Sequence, residues 1–398
     1  MLNTPFSPWP SFTDEEAEAV ARVVRSNRVN YWTGEEGRAF EREFAEWTGV
    51  PHAIALANGT VALDLALHGL GIGAVNGGSA TDEVVVTPRS FIASISCVVT
   101  AGAVPVFADV DPASGNISAE TIAAVVGPHA KAVIPVHLGG WPCDMDPIMR
   151  LADRCGLKVI EDCAQAHGAR YKGRSVGSIG HVGAWSFCQD KIMSTGGEGG
   201  MVTTSDPGLW SRMWSFKDHG KSFDAVYKRQ HPPGFRWLHE SFGTNWRMLE
   251  VQAAIGRIQL RRMDHWSRRR RANCERIWQA ARRFRLFSVP ELPADGQHAA
   301  YRSYIYVRPE RLAPGWTRDR IVAEINARGV PCYTGSCSEV YREKAFDATP
   351  WRPAAPLATS VRLGETSIMF LVHPTLTEAE IDRTCDVLAD VAAGAETR

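Results

Sequence analysis

The chain has 398 residues, 44% of them hydrophobic and 22% charged, with 44 Lys+Arg balanced by 44 Asp+Glu. That length suits about two domains, and the composition is that of a folded globular protein rather than a disordered one. A formal net charge of zero argues against a basic nucleic-acid-binding surface.

The first 50 residues read mainly as helix. In FTDEEAEAVARVVRSN, Thr13 suits an N-cap and is followed by three acids in the first turn. LANGTVALDLAL then reads as a strand end, a tight Asn-Gly-Thr turn and a helix, which sets Gly59 and Thr60 at a helix N-terminus. Free N–H groups and the helix dipole favour a phosphate there. GLGIGAVNGG carries a G-x-G start but follows a helix, the wrong context for a dinucleotide fingerprint.

Between about residues 50 and 205, short β-branched runs (EVVVTP, VPVFADV, KAVIPVHL, LKVIEDC, VGAWSF, GMVTTS) alternate with loops and helical patterns such as ETIAAVV and MDPIMRLADRCG. This alternation predicts an α/β fold with a mostly parallel sheet covered on both faces. The segment 219–243 is polar, aromatic and unpatterned, and reads as a long loop of the kind that is often functional. From Leu249 an Arg-rich helical pattern runs to about Phe284, followed by the strand YRSYIYVRP and the helices RDRIVAEINARG and TEAEIDRTCDVLADVAAG. The expected division is a large domain over 1–250 and a smaller α+β domain over 251–398. The run Arg268–Arg271 reads as a solvated helix face.

Several residues stand where chemistry is done. Asp162 ends a buried-looking strand, the edge at which open α/β sheets bind ligands; taken alone, a helix cap or surface turn explains it as well. Lys191 lies in a loop with Gly196, Gly197, Gly199 and Gly200 that is framed by apolar strands, and a lysine kept from water there has a lowered pKa. A lysine able to form a Schiff base, together with a carboxylate for a pyridinium nitrogen, points to pyridoxal phosphate. Ser186 adds a hydroxyl to the phosphate turn. Phe91, just past another strand end, offers a ring to stack on the cofactor, with plain core packing as its other explanation. His137, His167 and His219 are too scattered to specify a metal, and Cys143 beside Asp144 and Asp146 reads as a turn.

No run reaches the ~18 uncharged apolar residues of a membrane span. The stretch MLNTPFSPWPSFTDEEAEAV has neither the basic nor the apolar region of a secretory signal. Nine cysteines without a CxxC pattern fit free thiols in a reducing compartment, so the cytoplasm is expected.

The ordered set GT-x-AL, SFIAS, GAVPVFADVD, IEDCAQAHGARYKGRSVGSIG, SF-x-x-x-K with GEGG, and GTNWRM-x-x-x-QAAIG-x-x-QL resembles the DegT/DnrJ-type family of pyridoxal-phosphate sugar aminotransferases, over about residues 30–380. The resemblance implies a fold-type I transferase, a homodimer, and transfer of an amino group from an amino acid, commonly glutamate, to a nucleotide-linked keto sugar, with pyridoxamine phosphate as the intermediate form. Carried over by position, Lys191 resembles the Schiff-base lysine that later shuttles the proton. Asp162 matches the acid on the ring nitrogen and Gln165 the residue near the ring hydroxyl. Gly59, Thr60 and Ser186 match the phosphate cradle, and Phe91 the stacking ring. Asn245 matches an Asn that reaches the partner subunit's phosphate. Tyr31, Trp32 and Thr33, in NYWTGEEGRAFEREF, resemble a segment lining the entrance.

Where relatives carry a Tyr-x-Pro-x-His segment, this chain has VPCYTGSCSEVY, with Tyr333 as the substitute contact. A pyridoxamine-dependent sugar dehydratase of the same fold typically has His at the lysine position, which Lys191 argues against. A regulator that kept the fold would be expected to carry a separate DNA-binding segment, and no such basic segment is evident.

Overall fold

The computed structural model describes residues 5–293 and 295–397. Every strand expected between residues 50 and 205 is present: β1 His52–Leu56, β2 Glu83–Val86, β3 Val104–Phe107, β4 Ala130–Ile134, β5 Lys158–Asp162, β6 Val182–Ser186 and β7 Gly200–Thr204. They form one seven-stranded sheet in the order β1-β7-β6-β5-β4-β2-β3. β3, β2, β4, β5 and β6 pair in parallel, whereas β7 runs antiparallel to both β6 and β1. The carboxyl ends of β1, β2, β4, β5 and β6 therefore share one edge, and the reversed β7 brings its first residue, Gly200, to that same edge.

Local chemistry sets the helix limits. The helix Asp14–Arg25 begins at Thr13, whose backbone N–H donates to the Glu16 carboxylate at 3.0 Å. Asn58 caps Gly59–Leu70 by accepting from the Val61 N–H, and Gly71 ends that helix at φ 69°. Met145–Cys155 ends at Gly156, φ 68°. A second sheet, Phe287–Ser288 (β8), Ser303–Val307 (β9), Cys332–Tyr333 (β10) and Ser367–Phe370 (β11), is antiparallel in the order β8-β9-β11-β10. It packs with the helices Arg318–Ala327 and Glu378–Ala395 around its own apolar core. The segment 219–243 is mostly loop, with one short helix, Phe223–Tyr227.

The helix Glu250–Arg282 connects the two parts, and the chain crosses between them in both directions. Ser7 donates from its N–H (2.6 Å) and its hydroxyl (2.9 Å) to Glu380. Val340, Tyr341 and Phe346 join the core beside the large sheet. The Arg268–Arg271 run corrects the sequence expectation: Arg270 is fully buried, with its guanidinium over the Trp9 ring at 4.7 Å, while Arg269 pairs with Glu378. The long helix is covered by the N-terminal segment on one side and by Glu378–Ala395 on another, so one residue of any consecutive four turns inward.

Phe44 sits at the centre of the aromatic layer behind the sheet, 5.2 Å from Trp185 and 5.6 Å from Phe187 between ring centroids. Phe44→Ala is expected to cost about 3–5 kcal/mol, read as a lower midpoint in urea denaturation.

Candidate active site

A cavity of about 770 Å³ opens at the carboxyl edge of the large sheet. Lys191, Asp162, Gly59, Thr60, Ser186, Phe91 and Gln165 all line it. The sheet brings together residues spread over more than a hundred positions because each follows the end of a strand: Gly59 after β1, Phe91 after β2, Asp162 on β5, Ser186 on β6.

Asp162 is buried. Its Oδ2 accepts from the Ser94 hydroxyl at 2.7 Å and its Oδ1 from the Ala164 N–H at 3.1 Å; Ser94 in turn lies 2.8 Å from the Ser90 hydroxyl. Its neighbour Glu161 points to the other side of the strand and is also wholly buried. The Glu161 carboxylate accepts from the N–H groups of Gly177 (2.8 Å), Ile179 (2.8 Å) and Gly180 (2.6 Å), and from His137 Nε2 at 3.0 Å. The Cys143 N–H donates to His137 Nδ1, so the ring holds its proton on Nε2. Cys163 completes this close group, yet the Glu161 oxygens are already taken by hydrogen bonds. Burial raises the Glu161 pKa, but His137 and the backbone donors outweigh it and hold the group below its ordinary value.

The phosphate turn is tight. A Cβ on Gly59 would lie 2.5 Å from the Ser186 Cβ and 2.9 Å from its Oγ, so only glycine fits between the helix start and β6. The Phe91 ring is 66% exposed at the cavity, an unusual position for an apolar ring unless something covers it. Gln165 Oε1 accepts from the Gly139 N–H at 2.7 Å, which leaves its NH2 end as the donor.

The Lys191 loop is held from outside the cavity. Trp9 Nε1 donates to the Lys191 carbonyl at 2.8 Å, Gln259 Oε1 accepts from the Ser194 N–H at 2.8 Å, and Gln252 Nε2 donates to the Glu198 carbonyl at 2.8 Å. Gly196 and Gly197 take φ of 89° and 123°. Around the amine the sequence expectation is corrected. Burial does lower the Lys191 pKa, but Tyr301, Asp190 and Asp162 together outweigh it and hold the ammonium above its usual range. In the cofactor-free chain the amine is charged.

The remaining expected residues lie elsewhere. Asn245 is exposed, outside the cavity, in a bridge with Asp218. Tyr31 is buried, donates to Glu41 at 3.0 Å and lies under Lys217 Nζ at 3.8 Å; Trp32 is half-buried beneath Lys221 and Thr33 is exposed. Tyr333 packs beside Leu371, and its neighbours Gly335, Ser336 and Cys337 line the cavity instead. Tyr301, Arg302, Asp190, Ser90 and Ser94 also line it, and sequence reading missed them. Ser90 and Ser94, two hydroxyls flanking Phe91 in RSFIAS, were a signal one helical turn apart; Arg302 in an alternating strand pattern carried none.

A glycine cradle, a buried carboxylate, a lysine and an uncovered ring around one cavity fit pyridoxal phosphate, and with the sheet order they define a fold-type I transferase that depends on it. The DegT/DnrJ/EryC1/StrS aminotransferase family profile matches residues 10–389, so the chain belongs to that family and is an aminotransferase. It is 37% identical over 371 residues to GDP-perosamine synthase of Caulobacter vibrioides, covering 90% of this chain and 92% of that one. To the dTDP-3-amino-3,4,6-trideoxy-alpha-D-glucose transaminase of Streptomyces venezuelae it is 34% identical over 95% of this chain and 92% of that one. Among solved structures, an aminotransferase from Psychrobacter cryohalolentis superposes with a TM-score of 0.95 at 61% identity, covering 98% of this chain and 99% of that one. S. venezuelae DesV, solved with a ketimine intermediate, gives 0.82 at 32% identity over 95% and 94%.

Three outcomes are expected. Gly59→Ala weakens pyridoxal phosphate binding by about tenfold or more in a spectroscopic titration, because the added methyl meets backbone-fixed Ser186 rather than a flexible chain end. Uptake of the cofactor by the stripped protein accelerates steadily as pH rises above neutrality, without a plateau there, since only the uncharged amine reacts and the Lys191 ammonium is held above its usual range. Glu161 contributes stability that is full above its unfolded pKa of ~4.3 and is lost as pH falls through its lower folded value. Glu161→Gln is therefore expected to flatten the acid limb of the urea-midpoint profile.

Proposed function

We propose that this chain transfers the amino group of an amino acid, glutamate, to the ketone of a nucleotide-linked sugar, a 4-keto-6-deoxyhexose, for deoxyamino-sugar biosynthesis. The observation that carries the reading is the convergence of Lys191, Asp162 and the Gly59–Ser186 cradle on a single cavity, in a family of aminotransferases. Two relatives named for deoxyamino sugars support the choice of substrate class, as does a third, named UDP-N-acetyl-3-dehydro-alpha-D-glucosamine 3-aminotransferase, at 34% identity over 97% of this chain.

Pyridoxal phosphate supplies an aldehyde and a ring that accepts electrons when a Cα–H bond breaks. The residues do the rest. Gly59 and Thr60 N–H groups and the Ser186 hydroxyl bind the phosphate at a helix N-terminus. Asp162, held by Ser94 and the Ala164 N–H, keeps a proton on the ring nitrogen. Phe91, exposed at the cavity, would cover the cofactor ring, and the free NH2 end of Gln165 would donate to the ring hydroxyl. Lys191 Nζ would take the proton from the donor Cα and hold it for return, and its tethered position would make that transfer intramolecular.

The working unit in this reading is a cytoplasmic homodimer with shared sites. Its supports are the nine free cysteines, the exposure of Asn245 outside its own cavity, and the exposed Phe235, Trp237 and Phe242 in the loop before it. Asn245 then reaches the phosphate of the partner copy, while Tyr31, Trp32, Thr33 and Tyr333 serve the substrate entrance.

Lys191→Ala is expected to abolish turnover with glutamate and a panel of nucleotide keto sugars, the aminated product being identified by mass spectrometry and NMR in the wild type. Full turnover in the variant, or no aminated sugar from any panel member, would overturn the reading.

A further inference from the structure

An aminotransferase must seat two unlike molecules at one lysine: a small anion that gives nitrogen, and a large sugar that receives it. The small one presents a carboxylate a few ångströms from its amine, so a cation must stand near Lys191 to meet it. Of the residues lining the cavity, Lys191 and Arg302 are the cations.

Arg302 is 6% exposed and poorly satisfied. Its Nη1 donates to the Tyr301 carbonyl at 3.2 Å and its Nη2 to the Tyr301 Oη at 3.4 Å. The nearest carboxylate, Asp190, lies at 3.7 Å, beyond hydrogen-bond length. A guanidinium has five N–H donors in a planar fork and is matched best by two carboxylate oxygens at once. Here it has a long contact to one. Asp190 is itself shared, since it accepts from the Tyr301 hydroxyl and faces Lys191 as well.

The surroundings make the shortage of negative charge worse. Arg270 is fully buried close by, and none of its three guanidinium nitrogens has a hydrogen-bond partner. Burial first, and the Arg302 charge second, push its pKa down to about 9. His167 and His373, packed in the same region, are held neutral by burial, at about 3. Arg302 and Lys191 thus share Asp190, while Asp162 is committed to Ser94. The two cations that line the cavity also share one ring: Lys191 Nζ is 5.4 Å and Arg302 Cζ 4.1 Å from the Tyr301 centroid.

We propose that Arg302 receives the carboxylate of the amino donor, and that Asp190 holds this guanidinium loosely when no donor is present. The loose pairing lets one pocket serve both half-reactions. With the donor bound, the arginine turns to the substrate carboxylate; with the sugar bound, it falls back on Asp190, and no unpaired charge faces the sugar. The proposal rests on the aminotransferase reading above and adds to it the residue that selects the donor.

The experiment titrates the pyridoxal-phosphate-loaded enzyme by calorimetry with glutarate, a dicarboxylate that has no amine and cannot react. UDP, dTDP and GDP serve as separate probes. Arg302→Gln is expected to weaken glutarate binding by about tenfold or more, with Arg302→Lys intermediate because an ammonium keeps the charge and loses the fork. Nucleotide binding stays within about twofold. Asp190→Asn, which frees the guanidinium, is expected to tighten glutarate a few-fold, an opposite sign that loss of folding cannot imitate. In stopped-flow half-reactions Arg302→Gln raises the KM for glutamate by more than it changes the limiting rate, and by more than it raises the KM for the sugar. Unchanged glutarate binding in Arg302→Gln, weaker binding in Asp190→Asn, or a loss confined to the nucleotides would overturn the proposal. These outcomes are read in an enzyme that still aminates a keto sugar; a chain that never does so fails the functional reading instead. If Arg302→Gln does not fold, the sign in Asp190→Asn decides alone.

Discussion

The fixed carboxyl end of β5 is the constraint on which the rest of the site depends. Adjacent residues of a strand face opposite ways, so Asp162 can face the cavity only if Glu161 faces the interior. A buried carboxylate is costly unless fully hydrogen-bonded, and Glu161 is: three backbone N–H groups and His137 converge on it. These contacts tie β5 to the 177–180 turn that leads into β6, and through His137 to the loop that follows β4. The acid that meets the cofactor is therefore placed by the acid that never sees it.

The reversed strand β7 supplies the second half of the geometry. A strand parallel to its neighbours would have to start at the opposite edge, drawing the chain away from the ligand edge before Gly200. Antiparallel pairing instead closes the Lys191 loop into a connection between β6 and β7 at that edge. The loop is then pinned by the long helix. Gly256 lets that helix approach so closely that a Cβ there would lie 2.6 Å from Phe40 Cζ and 3.0 Å from Thr195. Gln252 and Gln259, one turn to either side, bind the loop backbone. The QAAIG-x-x-QL pattern is thus a clamp on the catalytic lysine rather than a contact to the ligand.

Much of this was legible in the sequence. The β-branched runs, the Asn-Gly-Thr turn and the glycines after Lys191 are local signals, and each marks a strand, a cap or a positive φ that local sterics demand. What escaped were features set by partners far along the chain. Arg270 looked like one of four solvated arginines because nothing nearby reveals that Trp9 covers it. Lys191 was read as desolvated and therefore weakly basic, but its basicity is decided by Tyr301 and Asp190, whose approach is a matter of tertiary packing. Tyr301 and Arg302 stand at the start of an alternating strand, and alternation tells which side a residue takes, not which cavity lies on that side.

The hydrogen bond from Trp9 to the Lys191 carbonyl has a bearing on how the molecule is made. The same indole stacks on His373 at 5.9 Å between ring centroids. A residue made early must wait for one made far later before its surroundings are complete. The large sheet can pair while translation continues, but the floor beneath the lysine closes only once the segment that carries His373 has been made. Contacts this distant in order of synthesis slow the final stage of folding, so a newborn chain would hold a formed sheet and an unfinished pocket at the same time.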